Sequence, residues 1–256
     1  MGFPRERRSS PLWSPHGVAY PVVAKSKLTI EITTMGHTVA FTRPDGKASS
    51  GYYASPAAGD SAPGIVVIQE WWGVNQQIKG VAERLAQSGY RALVPDLYRG
   101  RVTLEMAEAE HLMGQLDFGA AATQDIQGAV KYLKARSAKV AVNGFCMGGA
   151  LTILSAVLVQ ELTAAVCWYG FPPAEAADAR TIRIPLLGHF AEQDEFFPLA
   201  GVDALERRLQ EGQVRYELHR YPARHAFANE TRPNYDARQA ALAWERTLGF
   251  LATELA

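Results

Sequence analysis

The sequence predicts one α/β domain built on a mostly parallel, doubly wound sheet with helices on both faces. Three observations predict it. Short apolar runs alternate with amphipathic helical stretches from Met35 onward, turn-forming Gly, Pro and Asp bound the runs, and one run, GIVVIQ at 64–69, is continuously apolar. A strand without polar alternation is buried on both faces, as in a parallel sheet between helical layers. The chain has 256 residues, 48% of them apolar, enough for one sizeable core.

Taken in order, Thr38–Thr42 and Gly51–Ala54 flank a Pro44-Asp45-Gly46 turn and read as an antiparallel hairpin at the sheet edge. Gly64–Gln69 is the first buried strand. A helix follows over Asn75–Gln87, with Asn75 as N-cap and Gly89 just past its end. Arg91–Val94 is a strand closed by Pro95-Asp96, and two helices are expected over Thr103–Gln115 and Ala120–Arg136. Then come strand Lys139–Asn143, helix Met147–Val159, strands Thr163–Trp168 and Ile184–Phe190, helix Pro198–Gln210, strand Gln213–Tyr221 and helix Tyr235–Leu251. No repeat, low-complexity tract or interdomain linker interrupts this order, so residues 35–256 are expected to form a single domain without a large lid domain. Residues 1–34, rich in Arg, Ser and Pro, lack the apolar core of a secretory signal and are expected to be a poorly ordered extension.

Charge excludes some partners. The 26 basic and 26 acidic residues balance, without the basic excess that a nucleic-acid or anionic-membrane partner demands. The longest apolar run, near Ala150–Val159, is too short to span a bilayer. Two cysteines do not make a disulfide framework, which points to a reducing, cytoplasmic setting. No cofactor is implied, the scattered histidines have no metal-site spacing, and a monomer is expected, with a dimer as the alternative.

Cys167 lies within a strand and reads as a small buried hydrophobe. Cys146 lies elsewhere, in Gly144-Phe145-Cys146-Met147-Gly148 between the strand KVAVN and the helix MGGALTILSAV. This is G-x-C-x-G, the cysteine form of the nucleophile elbow of α/β-hydrolases. The alternative is a structural glycine turn, but the strand-to-helix context is the one an elbow requires. Small residues two positions either side let strand and helix approach, and the helix N-terminus favours a thiolate. The Met147 N–H is then placed as one oxyanion donor.

The order nucleophile, acid, histidine is met by Cys146, Asp194 and His225. Asp194 follows a strand end; Glu192 and Glu195 compete, and the Phe196-Phe197-Pro198 sequel favours Asp194. His225 lies in a loop before the last helix. His189 and His219 fall within strands and read as packing or surface residues. Glu70 ends the GIVVIQ strand, where α/β ligand sites are built. It either faces the Cys146 thiol or is a solvated loop residue, and the N–H of Trp71 is the expected second oxyanion donor.

QEWWGVN, PDLYRG, LDFGAAATQDIQGAVKYL, VNGFCMGGALT, the Asp194 segment and RHAF together resemble the dienelactone hydrolase (carboxymethylenebutenolidase) family, from about Met35 to Leu251. The resemblance implies an α/β-hydrolase fold and hydrolysis of a lactone or carboxylic ester. It implies a Cys146-His225-Asp194 triad acting through a thioester, with Glu70 paired to the resting cysteine and released by substrate to help form the thiolate. It also marks departures. Of the two arginines with which well-studied members hold a substrate carboxylate, one position is Asn229 here and the other aligns near Met106. Arg99, Arg101 or Lys79 are possible substitutes, more simply read as surface charges. The aromatic residues Trp71, Trp72, Tyr98, Phe145, Tyr169, Phe196 and Phe197, with Asn229, are the candidate substrate-binding positions and suggest an apolar pocket. A general short-chain carboxylesterase or thioesterase uses the same residues. A non-hydrolytic ligand-binding or thiol redox protein on this scaffold is the reading from another class.

Overall fold

The computed structural model describes residues 36–57 and 61–256; the expectation for residues 1–34 falls outside them. Eight strands form one sheet: β1 (Gly36–Thr42), β2 (Ala48–Ala54), β3 (Gly64–Ile68), β4 (Arg91–Pro95), β5 (Val140–Phe145), β6 (Ala164–Trp168), β7 (Leu186–Gln193) and β8 (Tyr216–Arg224). Their order is β1-β2-β4-β3-β5-β6-β7-β8. β1 and β2 form the expected antiparallel hairpin at one edge, β2 also runs antiparallel to β4, and every later pairing is parallel.

The helices are α1 (Gln76–Gln87), α2 (Met106–Gly114), α3 (Phe118–Ala120), α4 (Gln127–Lys134), α5 (Met147–Leu158), α6 (Leu199–Glu211) and α7 (Ala237–Glu254). Side chains of the central strand β3 alternate between two cores, as a period of two requires. Ile65 and Val67 pack with Val81 and Leu85 of α1 and Leu251 of α7. Val66 and Ile68 pack with Leu133 of α4 and Leu151 of α5. Both faces of the sheet are therefore covered, and the doubly wound expectation holds. Asn75 caps α1 through its Oδ1, which accepts from the Ile78 N–H at 3.1 Å.

One expected helix differs. The apolar spacing predicts a continuous helix over Ala120–Arg136, but Ala121–Ile126 is π-helical. The wider turn carries Asp125, buried at 3% exposure, where it accepts from Arg99 Nη2 at 3.0 Å and Ser49 Oγ at 3.1 Å. The buried carboxylate is thus paired, tying the helix to β2 and to the chain after β4, and the π turn is the local departure that accompanies it.

Two glycines let α5 approach the sheet closely, Gly144 against β5 and Gly148 against the end of β3. A Cβ on Gly144 would collide with the carbonyl oxygen of Gly148, and one on Gly148 with the carbonyl oxygens of Ile68 and Gln69. Gly80 of α1, by contrast, has nothing within 4 Å of an added Cβ. Gly148→Ala is expected to destabilise by about 1–3 kcal/mol or more through overpacking, whereas Gly80→Ala should stabilise by about 0.5–1 kcal/mol through helix propensity. Urea unfolding of the two variants beside wild type checks this; equal effects would mean that the contact between α5 and the end of β3 is slack.

Candidate active site

Parallel strands deliver their C-terminal tips to one edge of the sheet, about 4.8 Å apart from neighbour to neighbour. Cys146 immediately follows β5, Asp194 follows β7, His225 follows β8, and Glu70 lies two residues beyond β3. Residues far apart in sequence are so gathered by topology alone.

Cys146 has φ 55° and ψ −117°, a left-handed conformation that a side-chain-bearing residue adopts only under constraint. The constraint is visible: its N–H donates to the Trp168 carbonyl at 3.0 Å, and its own carbonyl accepts from the N–H of Gly149 at 2.8 Å. The side chain is left at the top of α5. His225 Nε2 lies 3.2 Å from Cys146 Sγ, and His225 Nδ1 lies 2.8 Å from Asp194 Oδ2. Asp194 is buried, and its second oxygen accepts from the N–H groups of Phe196 and Phe197, each at 2.9 Å. A carboxylate only accepts, so Nδ1 carries the imidazole proton and Nε2 offers its lone pair to the thiol. Glu192 and Glu195 are exposed, and Glu195 sits 3.9 Å from Arg224. His189 is fully buried between Tyr221 Oη (2.8 Å) and Thr247 Oγ1 (2.9 Å), and His219 stacks on it.

Glu70 is buried at 5% exposure and lines the same cavity as Cys146, so it is not a solvated loop residue. The resemblance implies that Glu70 pairs with the resting thiol, but among the described residues its carboxylate hydrogen-bonds elsewhere. Its Oε1 accepts from Tyr169 Oη at 3.2 Å and its Oε2 from Asn229 Nδ2 at 2.7 Å. These two donors hold the carboxylate. Asn229 is itself fixed, its Oδ1 accepting from the Thr231 N–H (3.0 Å) and hydroxyl (2.6 Å). Burial pushes the Glu70 carboxyl above the usual range, against the opposing pull of Asn229. Burial also pushes the Cys146 thiol well up, the Glu70 charge adds to the rise, and the Met147 N–H opposes it.

A cavity of about 550 Å³ opens over this group, lined by Trp71, Trp72, Met113, Phe118, Phe171 and Phe197 among others. Of the expected substrate-binding positions, Trp72 and Phe197 line it, as do Trp71, Phe196 and Met106. Four do not. Tyr98 is buried against Met147 Sδ, Phe145 stacks on Trp168 at 5.1 Å, and Tyr169 and Asn229 are spent on Glu70. All four are buried and engaged by other residues, a direction that position near a strand tip does not fix. Arg99 is engaged by Asp125, Arg101 by Gln115 and Lys79 by the Tyr52 ring, all outside the cavity. Sequence reasoning missed Arg232, which lines the cavity with its guanidinium 3.6 Å from the centroid of the Trp72 ring and its buried Nε without a hydrogen-bond partner among the described residues. No local motif marks it. Among the described residues there is no His, Cys, Asp and Glu cluster that could hold a metal, and no helix long and apolar enough to cross a membrane.

Residues 50–255 match the dienelactone hydrolase family. The chain belongs to that family. "Protein usf" of Aquifex pyrophilus is 34% identical over 230 residues, covering 84% of this chain and 97% of that protein. A protein of Salmonella typhi named "Putative carboxymethylenebutenolidase" is 32% identical over 250 residues, covering 86% and 91%. A Klebsiella pneumoniae crystal structure described as a "Putative Dienelactone Hydrolase" superposes with a TM-score of 0.73 at 27% identity, covering 84% of this chain and 99% of that one. The protein is a dienelactone hydrolase-like hydrolase with an α/β-hydrolase fold.

The raised Glu70 carboxyl has a consequence for stability. A carboxyl whose folded-state value is raised contributes stability below its unfolded value and loses it as pH rises through the folded value. Glu70→Gln keeps an acceptor for Asn229 and a donor for the Tyr169 oxygen while removing the buried charge. Its Tm relative to wild type should be higher at pH 8, with the gain shrinking as pH falls to 4; a gain independent of pH would mean that charge burial is not its source.

Proposed function

We propose that this protein hydrolyses a lactone or carboxylic ester through a Cys146-His225-Asp194 triad and a thioester intermediate. One observation carries the reading: the continuous chain from Cys146 Sγ through the His225 ring to Asp194, set at a strained elbow on a cavity floor.

His225 Nε2 takes the thiol proton as sulfur attacks the substrate carbonyl carbon, and Asp194 stabilises the imidazolium so formed. The oxyanion is received by the N–H groups of Met147 and Trp71. The first is one of the helix N–H groups without an intrahelical acceptor, and the second makes no main-chain hydrogen bond among the described residues. The oxyanion collapses to restore the carbonyl, the single bond from the acyl carbon to the leaving oxygen breaks, and that oxygen takes the proton from His225. In a lactone it remains tethered to the acyl group. Water then gives a proton to His225 and attacks the thioester, and the departing sulfur recovers that proton. Burial and the nearby Glu70 charge both favour the protonated thiol over the thiolate, which restrains its reactivity until a substrate is in place.

The cavity's aromatic lining suits an ester or enol lactone with an apolar body. Among the described residues that line it, Arg232 is the single Arg or Lys, so an anionic substituent would be met there.

The test is hydrolysis of p-nitrophenyl butyrate, a neutral enol lactone and cis-dienelactone by wild type, Cys146→Ala and Arg232→Leu. Cys146→Ala should lose about 10⁴-fold or more in kcat with its Tm preserved; turnover within tenfold of wild type would refute the thiol nucleophile. Arg232→Leu should cost the carboxylate-bearing lactone about 10–100-fold in kcat/KM, the worth of one charge-assisted hydrogen bond, and spare the neutral substrates. An equal loss on all three would confine Arg232 to packing on Trp72.

A further inference from the structure

Two cavities meet at Phe171. The one above Cys146 extends along α5 past Met147 and Ala150 to the Phe171 ring and Pro173. The same two residues also line a second cavity of about 220 Å³, together with Ile153, Ala177, Gly201, Ala204 and Leu205. Ala150 and Ile153 are neighbours on one helix face, so the cavities are consecutive along α5. Ile153 lies seven residues beyond Cys146, roughly 10 Å along the helix at 1.5 Å per residue. That is the reach of a straight acyl chain of medium length.

The Phe171 ring is held by packing alone. It meets Phe197 edge-on at 5.2 Å and Phe190 at 6.3 Å. Its rim occupies the space that a side chain at position 201 would need, since a Cβ on Gly201 would collide with it. The second cavity offers little to a polar group. Its charged lining residue, Arg208, already donates to the Ala174 carbonyl at 2.7 Å, and the other lining side chains are alanine, leucine, isoleucine, proline and Phe171, with Gly201. An alkyl chain fits that chemistry.

Building on the hydrolytic reading of Cys146, we infer that the second cavity is an acyl-chain subsite and that Phe171 is the partition closing it, which limits the enzyme to short acyl groups. Phe171 and Ala204 are then specificity-determining residues on the two sides of one channel.

The experiment compares kcat/KM for p-nitrophenyl butyrate and octanoate in wild type, Phe171→Ala, the milder Phe171→Leu, and Phe171→Ala combined with Ala204→Phe. Wild type should prefer butyrate. Phe171→Ala should move the octanoate-to-butyrate ratio upward tenfold or more, Phe171→Leu should move it part of the way, and Ala204→Phe should reverse the gain by refilling the second cavity. A shift below tenfold in Phe171→Ala with none in Phe171→Leu overturns the proposal, as does a gain that survives Ala204→Phe, which would mean that the first cavity had merely loosened. Should Phe171→Ala fail to fold, Phe171→Leu with and without Ala204→Phe carries the same comparison. Wild type inactive on every ester would sink the hydrolytic reading instead, and the subsite is then read by binding. Decanoate raising the Tm of Phe171→Ala, but not of wild type or the double variant, supports it; equal shifts in all three overturn it.

Discussion

The backbone at Cys146 is the point on which the site is built. A residue at φ 55° between a parallel strand and a helix turns its side chain out of both, above the sheet edge where the neighbouring strands end. The geometry persists because α5 packs closely on β5 at Gly144 and on the end of β3 at Gly148, and because the residue's own main-chain groups are tied to Trp168 and Gly149. The two halves of the core, divided by alternation along β3, keep the sheet from yielding to this strain. Strain at one residue is thus offset by packing spread over many.

The polar groups around that sulfur are arranged in two lines with different tasks. Asp194 is held by two backbone N–H groups and in turn orients His225, which leaves a ring nitrogen lone pair facing the thiol. Glu70 is held separately, by Tyr169 and Asn229, close enough to raise the thiol's proton affinity without bonding to it. In an aromatic cavity each of these charges is felt more strongly than in water. Arg232, lying over Trp72, places a cation on the wall of the cavity that also exposes Glu70.

Much of this was legible in the sequence because it is local. An elbow is five residues with a fixed context, and Asp194 is distinguished from Glu192 and Glu195 by the two phenylalanines whose N–H groups it accepts. The strand tips follow from apolar runs ending in Asp, Glu or a Gly-rich turn. What the sequence hid is direction and loop path. Tyr98, Phe145, Tyr169 and Asn229 all lie near the strand tips, but which way each points is decided by partners such as Met147, Trp168 and Glu70. Arg232 reaches the cavity only because of the turns after His225, which no motif encodes. The π turn at Ala121–Ile126 was invisible because apolar spacing over six residues does not separate it from α-helix.

The central claim is that Cys146 carries the acyl group during turnover. The most direct measurement is intact-protein and peptide mass spectrometry on enzyme mixed with p-nitrophenyl butyrate and quenched in acid within the first turnover. The account predicts a mass gain of one butyryl group per chain, mapped to the peptide containing Cys146 and discharged by hydroxylamine. Butyrate released at full rate with no adduct, or an adduct on another residue while Cys146 stays free, would contradict it.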